Sequence, residues 1–351
     1  MSSRHTSPSR ARVLLLRENA AIGGVNAMVD ELRGGLQGLG WESLHVQTLS
    51  GCSIPALLRA AWRCDAIVAT NNFRTAYVGW ALGQLFRRPC VVWVHGPLQQ
   101  VLSQAPASRA KLAVLRQLYR RVAFYVFNSM HTQQSFEAAL HLPPLPPGRA
   151  CVIPNAVQRP RAPRPVAQGV RADSAGPQPV ELGYVGRLAA EKAPQRLIDM
   201  LRVLPPHYRL TLVGDGPLRA QLQAESADLQ ADGRLVFAGE RARHHALDPA
   251  WHMTVLASRY EGGCPLSALE SAAAGIPFVA PPLPALLETV CGAAGPLLAS
   301  DDTPSGLAQA VLRVRAMPLA DLQRALDAVL GAHGSARFAA QWQDVLKQVL
   351  R

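Results

Sequence analysis

The chain of 351 residues is long for one domain and comfortable for two, and its 49% hydrophobic residues suffice for two cores. No run reaches the roughly 18 apolar residues of a membrane span, and the polar start Met1-Ser-Ser-Arg-His-Thr-Ser-Pro8 has no apolar signal core, which predicts a cytoplasmic protein. The net charge of +12 is uneven: residues 1–165 hold 19 of the 36 Lys+Arg but 6 of the 24 Asp+Glu, so the first half is expected to meet an anionic partner.

That partner is better read as an anionic membrane surface than as nucleic acid, because no aromatic-basic cluster or helix-turn-helix pattern is present. Cys52, Cys64, Cys90, Cys151, Cys264 and Cys291 are scattered without close pairing. Reduced thiols in a cytosol are expected, rather than a zinc site or disulfide framework.

In chain order, Val13–Leu16 reads as a short buried strand, followed by Gly23-Gly24 and a helical pattern to about Leu39. The glycine pair permits close approach of a ligand's backbone or phosphates, or serves only as a helix entry turn. Ala66–Thr70, Cys90–Val94, Phe124–Phe127 and Ala150–Ile153 read as further buried strands, most of them separated by helical patterns. That alternation predicts an α/β fold with a parallel, doubly wound sheet. His95-Gly96-Pro97 closes one strand, where a His either hydrogen-bonds a sugar hydroxyl or moves a proton, or is satisfied by the backbone. Ser108–Phe127 mixes Arg109, Lys111, Arg116, Arg120 and Arg121 with Leu112, Leu115, Leu118, Tyr119 and Val122. Part of it is either a basic amphipathic helix lying on a membrane or a surface helix packed on its own domain.

Residues 158–179, rich in Pro, Arg and small residues, read as a linker. The alternation then restarts with strands over Glu181–Val185, Leu210–Val213, Leu235–Phe237, Met253–Leu256 and Phe278–Ala280, and closes with helical patterns over about 318–330 and 335–350. Two such domains leave a cleft, and ligands of doubly wound sheets bind at the strands' carboxyl ends. Gly186-Arg187 and Glu191-Lys192 come directly after a strand. A guanidinium fork and an ammonium there suit a phosphate group; the alternative is a solvated loop. Lysine is scarce, with Lys111, Lys192 and Lys347 the three present. Gly214-Asp215-Gly216 is a strand-to-helix turn that either receives a nucleotide or is merely tight.

The most informative stretch is Ser258–Gly275, which sets Glu261 and Glu270 around a Gly262-Gly263-Cys264-Pro265 turn that opens an apolar helix. Pro265 suits the first helical turn and Gly275 the left-handed helix end. The free N–H groups of that first turn suit an anion. Glu270, among Leu266, Ala268, Leu269 and Ala272, wants a polar partner, and a sugar hydroxyl is one.

With these segments in order, the chain resembles the retaining glycosyltransferases of the GT-B fold, glycosyltransferase family 4 (group 1). The segments are Val152-Ile-Pro-Asn-Ala156, Gly183–Lys192, Leu212–Arg219 and Glu261–Gly275. The resemblance covers nearly the whole chain and is strongest over about 181–290. It implies two Rossmann-like domains facing a cleft: an acceptor-binding domain over 11–157, the linker over 158–179, a nucleotide-sugar-binding domain over 180–332, and a final helix over 333–351 crossing back to the first domain. It implies that Arg187 and Lys192 hold the donor diphosphate, that Glu261 binds hydroxyls of the donor sugar, and that Glu270 binds the ribose. Gly186, Gly214, Gly262, Gly263, Cys264, Pro265 and Leu266 complete the donor site. His95 contacts the transferred sugar, and Gly23 and Gly24 form the loop facing the diphosphate.

The implied donor is a UDP- or GDP-sugar, and the implied acceptor a glycan or lipid-linked molecule of bacterial surface polysaccharide, lipopolysaccharide or exopolysaccharide, made at the inner face of the cytoplasmic membrane. No Asp-x-Asp metal motif lies in a plausible site. No metal or cofactor is therefore expected, with Arg187, Lys192 and a helix N-terminus doing a metal's work. Two departures stand out: eight residues separate Glu261 from Glu270 where the family usually has seven, and Ala156 stands where Gly is frequent. The wider spacing keeps a catalytically inactive nucleotide-sugar-binding partner protein as one alternative; an epimerase or inverting transferase of the same fold is another.

Overall fold

A computed structural model describes residues 11–19, 23–41, 44–104, 108–146, 148–158, 179–242, 246–290 and 292–351. Most of the linker, residues 159–178, and Cys291 lie outside them. The chain divides into two compact units, Met1–Ala156 with Gly334–Arg351, and Val157–His333.

The first unit is built on six parallel strands: β1 (Val13–Arg17), β2 (Leu44–Thr48), β3 (Ala66–Ala69), β4 (Cys90–Val94), β5 (Phe124–Phe127) and β6 (Ala150–Val152). Their order is β2-β1-β3-β4-β5-β6. Val13, Leu14, Leu15 and Leu16 are all buried, as are all five residues of β4. Both faces of the sheet are covered, so the inner strands need apolar residues without alternation. Edge strand β2, Leu-His-Val-Gln-Thr, pairs with β1 alone among the described strands; its sequence alternates apolar and polar residues instead of forming a continuous apolar run.

The C-terminal helix Ser335–Val349 belongs to this first unit. Gly35, on the first helix Gly24–Gly38, makes room for it: a Cβ there would lie 2.8 Å from the Ala339 Cβ. The helix then seats Trp342 and Phe338 on Trp93 of β4, with ring centroids 4.8 and 5.9 Å apart. The helix Arg109–Arg120 buries Leu115 and Tyr119, and the Tyr119 ring meets Phe136 edge-on at 4.8 Å. Its apolar face is therefore packed on its own unit.

The second unit has five parallel strands: β7 (Val180–Val185), β8 (Tyr208–Val213), β9 (Leu235–Gly239), β10 (Met253–Val255) and β11 (Phe278–Val279), in the order β11-β10-β7-β8-β9. Gly183 in β7 has no side chain because the Trp251 ring fills its place; a Cβ would sit 2.0 Å from it. In each sheet the strand order reverses once, between β1 and β3 and between β7 and β10. Connections leave such a point in opposite directions, and a crevice opens at the carboxyl ends of the two strands. Among the described residues no helix is long and apolar enough to cross a membrane.

Candidate active site

The switch point of the second unit brings together the loop after β7 and the loop after β10. Beyond β7, the Gly186 N–H donates to the Val213 carbonyl at 3.0 Å, and the Tyr184 hydroxyl donates to the Arg187 carbonyl at 2.9 Å. The main chain is thus fixed while the Arg187 side chain stays 68% exposed, paired with Glu191 four residues on. Burial raises the Glu191 pKa, but a backbone hydrogen bond and the Arg187 guanidinium outweigh it and leave the carboxyl below its ordinary value. A short turn over Ala190–Lys192 then directs Lys192 to the loop after β10, where its Nζ donates to Glu261 Oε1 at 2.5 Å.

That second loop is pinned in return. The Arg259 N–H donates to the Glu191 carbonyl at 2.9 Å, and the buried Ser258 hydroxyl donates to Glu261 Oε1 at 2.6 Å. The wider glutamate spacing therefore leaves Glu261 against Lys192. The loop ends in the helix Leu266–Ala273. Pro265 is its N-cap, in extended conformation, rather than a residue of its first turn, and no described side chain caps it. The Pro265 carbonyl accepts from Ala268 and Leu269 at 3.1 and 3.2 Å, which leaves the Leu266 and Ser267 amides outside the helical ladder. Gly275, at φ 75°, ends the helix in the left-handed region as expected.

Glu270 is half-buried rather than buried. The helix buries Ala268, Leu269, Ser271 and Ala272, and Glu270 lies on the half-buried stripe with Leu266, Ser267 and Ala273. Ser271 sets that rotation: its hydroxyl accepts from Thr254 and donates to the Ile276 carbonyl, both at 2.8 Å. Within the loop, Gly262, Gly263 and Cys264 are buried. Burial, then the Glu261 charge, pushes the Cys264 thiol far above its ordinary range, so it remains an unreactive thiol.

Gly214 and Gly216 have a packing reason. Cβ atoms there would lie 2.0 Å from the Gly186 carbonyl oxygen and 2.4 Å from that of Leu188, and Gly214 has φ 138°. The turn after β8 thus lies main chain to main chain against the turn that presents Arg187. In the first unit, Gly23 caps the first helix with extended backbone, and a Cβ there would meet nothing within 4 Å. Neither conformation nor packing in that unit requires its glycine. The His95 ring lies 4.4 Å from that of Trp93, tilted by 39°, and its Nε2 is shielded from water with no hydrogen-bond partner among the described residues. Burial lowers its pKa to about 3, so the imidazole is uncharged at neutral pH.

The sequence gives no role to Glu191 or Ser258. The i,i+4 spacing from Arg187 is the signal for the first; Ser258 is recognisable only once the loop is folded.

Two family models match successive parts of the chain: a glycosyl transferase 4-like domain over residues 45–156 and glycosyl transferases group 1 over residues 179–316. The chain belongs to the group 1 glycosyltransferases. This family member is 33% identical over 166 residues to a GDP-mannose-dependent alpha-(1-6)-phosphatidylinositol dimannoside mannosyltransferase of Mycobacterium tuberculosis, a match covering 44% of this chain and 41% of that one. It is 32% identical over 174 residues to a 2-deoxystreptamine glucosyltransferase of Streptomyces kanamyceticus, covering 46% and 44%. The matches thus span under half the length of these curated relatives. Among solved structures, HepE of Anabaena in complex with UDP and glucose superposes with a TM-score of 0.75 at 20% identity, covering 96% of this chain and 100% of that one. The lipopolysaccharide outer core galactosyltransferase WaaB gives 0.64 at 12% identity, covering 96% and 99%. The fold is GT-B, with two parallel-sheet α/β domains.

Proposed function

We propose that this chain is a retaining, metal-independent glycosyltransferase that moves a hexose from a UDP- or GDP-sugar to a glycan or lipid-linked acceptor. The observation that carries the reading is the convergence, at one switch point, of Arg187, Lys192, Glu261 and an uncapped helix N-terminus. Transfer breaks the bond between the anomeric carbon and the diphosphate oxygen, so negative charge grows on the diphosphate and positive charge on the sugar. Arg187, Lys192 and the Leu266 and Ser267 amides stabilise the first without a metal. Glu261 takes sugar hydroxyls and Glu270 the ribose.

The acceptor hydroxyl attacks from the face the diphosphate leaves and gives its proton to the departing diphosphate oxygen, so configuration is retained and no side chain forms a covalent intermediate. We assign Gly23 and Gly24 to the diphosphate and His95 to a hydroxyl of the transferred sugar. An uncharged imidazole serves there as a hydrogen-bonding group rather than a proton store.

The names of the mannosyltransferase and of WaaB support a lipid-linked or surface-glycan acceptor in bacterial surface polysaccharide synthesis. A peripheral site on the anionic inner leaflet suits the basic first half, though not through the helix Arg109–Arg120. Exposed Ile54, Trp62 and Leu85 (72, 63 and 64%), with exposed Arg59, Arg63 and Arg87, form the more fitting surface.

A thermal-shift screen with UDP, GDP, ADP and their sugars, with and without EDTA, tests the reading. One nucleotide raising the Tm, unaffected by EDTA and lost in Glu270→Ala, is expected. No shift with any nucleotide counts against the donor site, and an EDTA-sensitive shift against metal independence.

A further inference from the structure

Glu261 receives two donors on one oxygen. Lys192 Nζ lies 2.5 Å and Ser258 Oγ 2.6 Å from Oε1. The two donors differ in what they can do when a diphosphate arrives. Lys192 has a four-carbon stem and a side chain 29% exposed; it is free to turn toward the stronger anion. Ser258 is 2% exposed, has a single heavy-atom torsion, and sits in a loop tied to the β7 side by the Arg259–Glu191 main-chain bond. Its hydroxyl cannot follow. A glutamate held by Lys192 alone would lose its anchor at the moment the donor binds, when the carboxylate must be in register with the sugar.

We propose that Ser258 is a positioning residue: its hydroxyl holds Glu261 Oε1 in place after Lys192 transfers to the diphosphate, so that the carboxylate meets the donor sugar's hydroxyls in a fixed orientation. This rests on the assignment of Glu261 to the donor sugar above. Ser258 touches no substrate and acts through Glu261 alone. It therefore affects recognition of the sugar and leaves recognition of the nucleotide untouched.

The test is calorimetric binding of UDP, UDP-glucose, GDP and GDP-mannose to the full chain, to Ser258→Ala, to Glu261→Ala and to the double variant. The readout is the ratio of Kd for the nucleotide sugar to Kd for the bare nucleotide. Ser258→Ala removes one oxygen from a buried site and keeps its shape, and an unchanged Tm verifies the fold. Ser258→Ala is expected to raise the ratio about tenfold, the weight of a hydrogen bond to a charged group, with the Kd for bare nucleotide unchanged. In the Glu261→Ala background the same substitution is expected to do nothing more, because its route of action is gone. A ratio that moves with Glu261→Ala but not with Ser258→Ala overturns the positioning role and leaves the sugar-binding role of Glu261 standing. An equal effect of Ser258→Ala in both backgrounds also overturns it, by showing a merely structural serine. A ratio insensitive to Glu261→Ala, or no nucleotide binding at all, overturns the assignment of Glu261 and the proposal with it.

Discussion

Arg187→Ala separates a structural arginine from one that stabilises a leaving group. The side chain is 68% exposed, so water screens its ion pair with Glu191, whose own side chain is 18% exposed. Such a pair contributes at most about 1 kcal/mol to folding. For a unit of this size, its loss lowers Tm by no more than about 2–4 °C. The same guanidinium aimed at a departing diphosphate acts where charge develops, and removing one such donor raises the barrier by about 3 kcal/mol, a hundredfold or more in turnover. The two roles differ by roughly two orders of magnitude in the observable. Initial rates of transfer, with kcat and KM resolved for the nucleotide sugar that gives the thermal shift, together with the Tm of each variant, decide between them. Arg187→Lys keeps the charge but loses the fork, and is expected to fall between the parent and Arg187→Ala. A fall of less than about fivefold in kcat/KM for Arg187→Ala would refute the leaving-group role, since one oxyanion-type donor is worth far more.

Gly214→Ala places a Cβ against the Gly186 carbonyl oxygen in a backbone conformation with φ 138°. It is expected to destabilise the second unit by about 2–4 kcal/mol and to weaken nucleotide binding by shifting the Arg187 turn; a Tm within about 1–2 °C of the parent, seen by calorimetry, would remove the packing argument. His95 has a folded pKa of about 3 against 6.5 for the free side chain, so between those values the unfolded chain binds a proton that the folded chain refuses. Stability is therefore expected to fall as pH drops from about 6.5 toward 3, and part of that slope should vanish in His95→Phe when Tm is measured against pH; an identical slope would place the acid sensitivity elsewhere.

Much of this was legible in the sequence because it is written locally. Val13–Leu16 and Cys90–Val94 are apolar runs that a sheet covered on both faces accommodates, and they are the buried strands the structure shows. Arg187, Lys192 and Glu261 come soon after strands, so their place at a sheet's carboxyl edge is implied by the alternation. Edge strand β2 is not among the continuous apolar runs, because its Leu-His-Val-Gln-Thr alternates apolar and polar residues, the short and weaker signal of a half-buried strand. The degree of burial of Glu270 was not legible, since which side of the helix faces the core depends on the elements packed against it; Leu269 and Ala272 are buried, whereas Glu270 is half-buried.

The sequence by itself determined the fold class, the division into two doubly wound units and the charged residues that follow β7 and β10, because periodicity and strand-end position are properties of contiguous residues. The tertiary structure alone decided that Ser258 and Lys192 share one oxygen of Glu261, that the glycines at 214 and 216 make room for the Arg187 turn, and that Gly35 lets the last helix reach Trp93. Each of these joins residues from separate elements, and only the packing of those elements brings them within a hydrogen bond or a van der Waals radius.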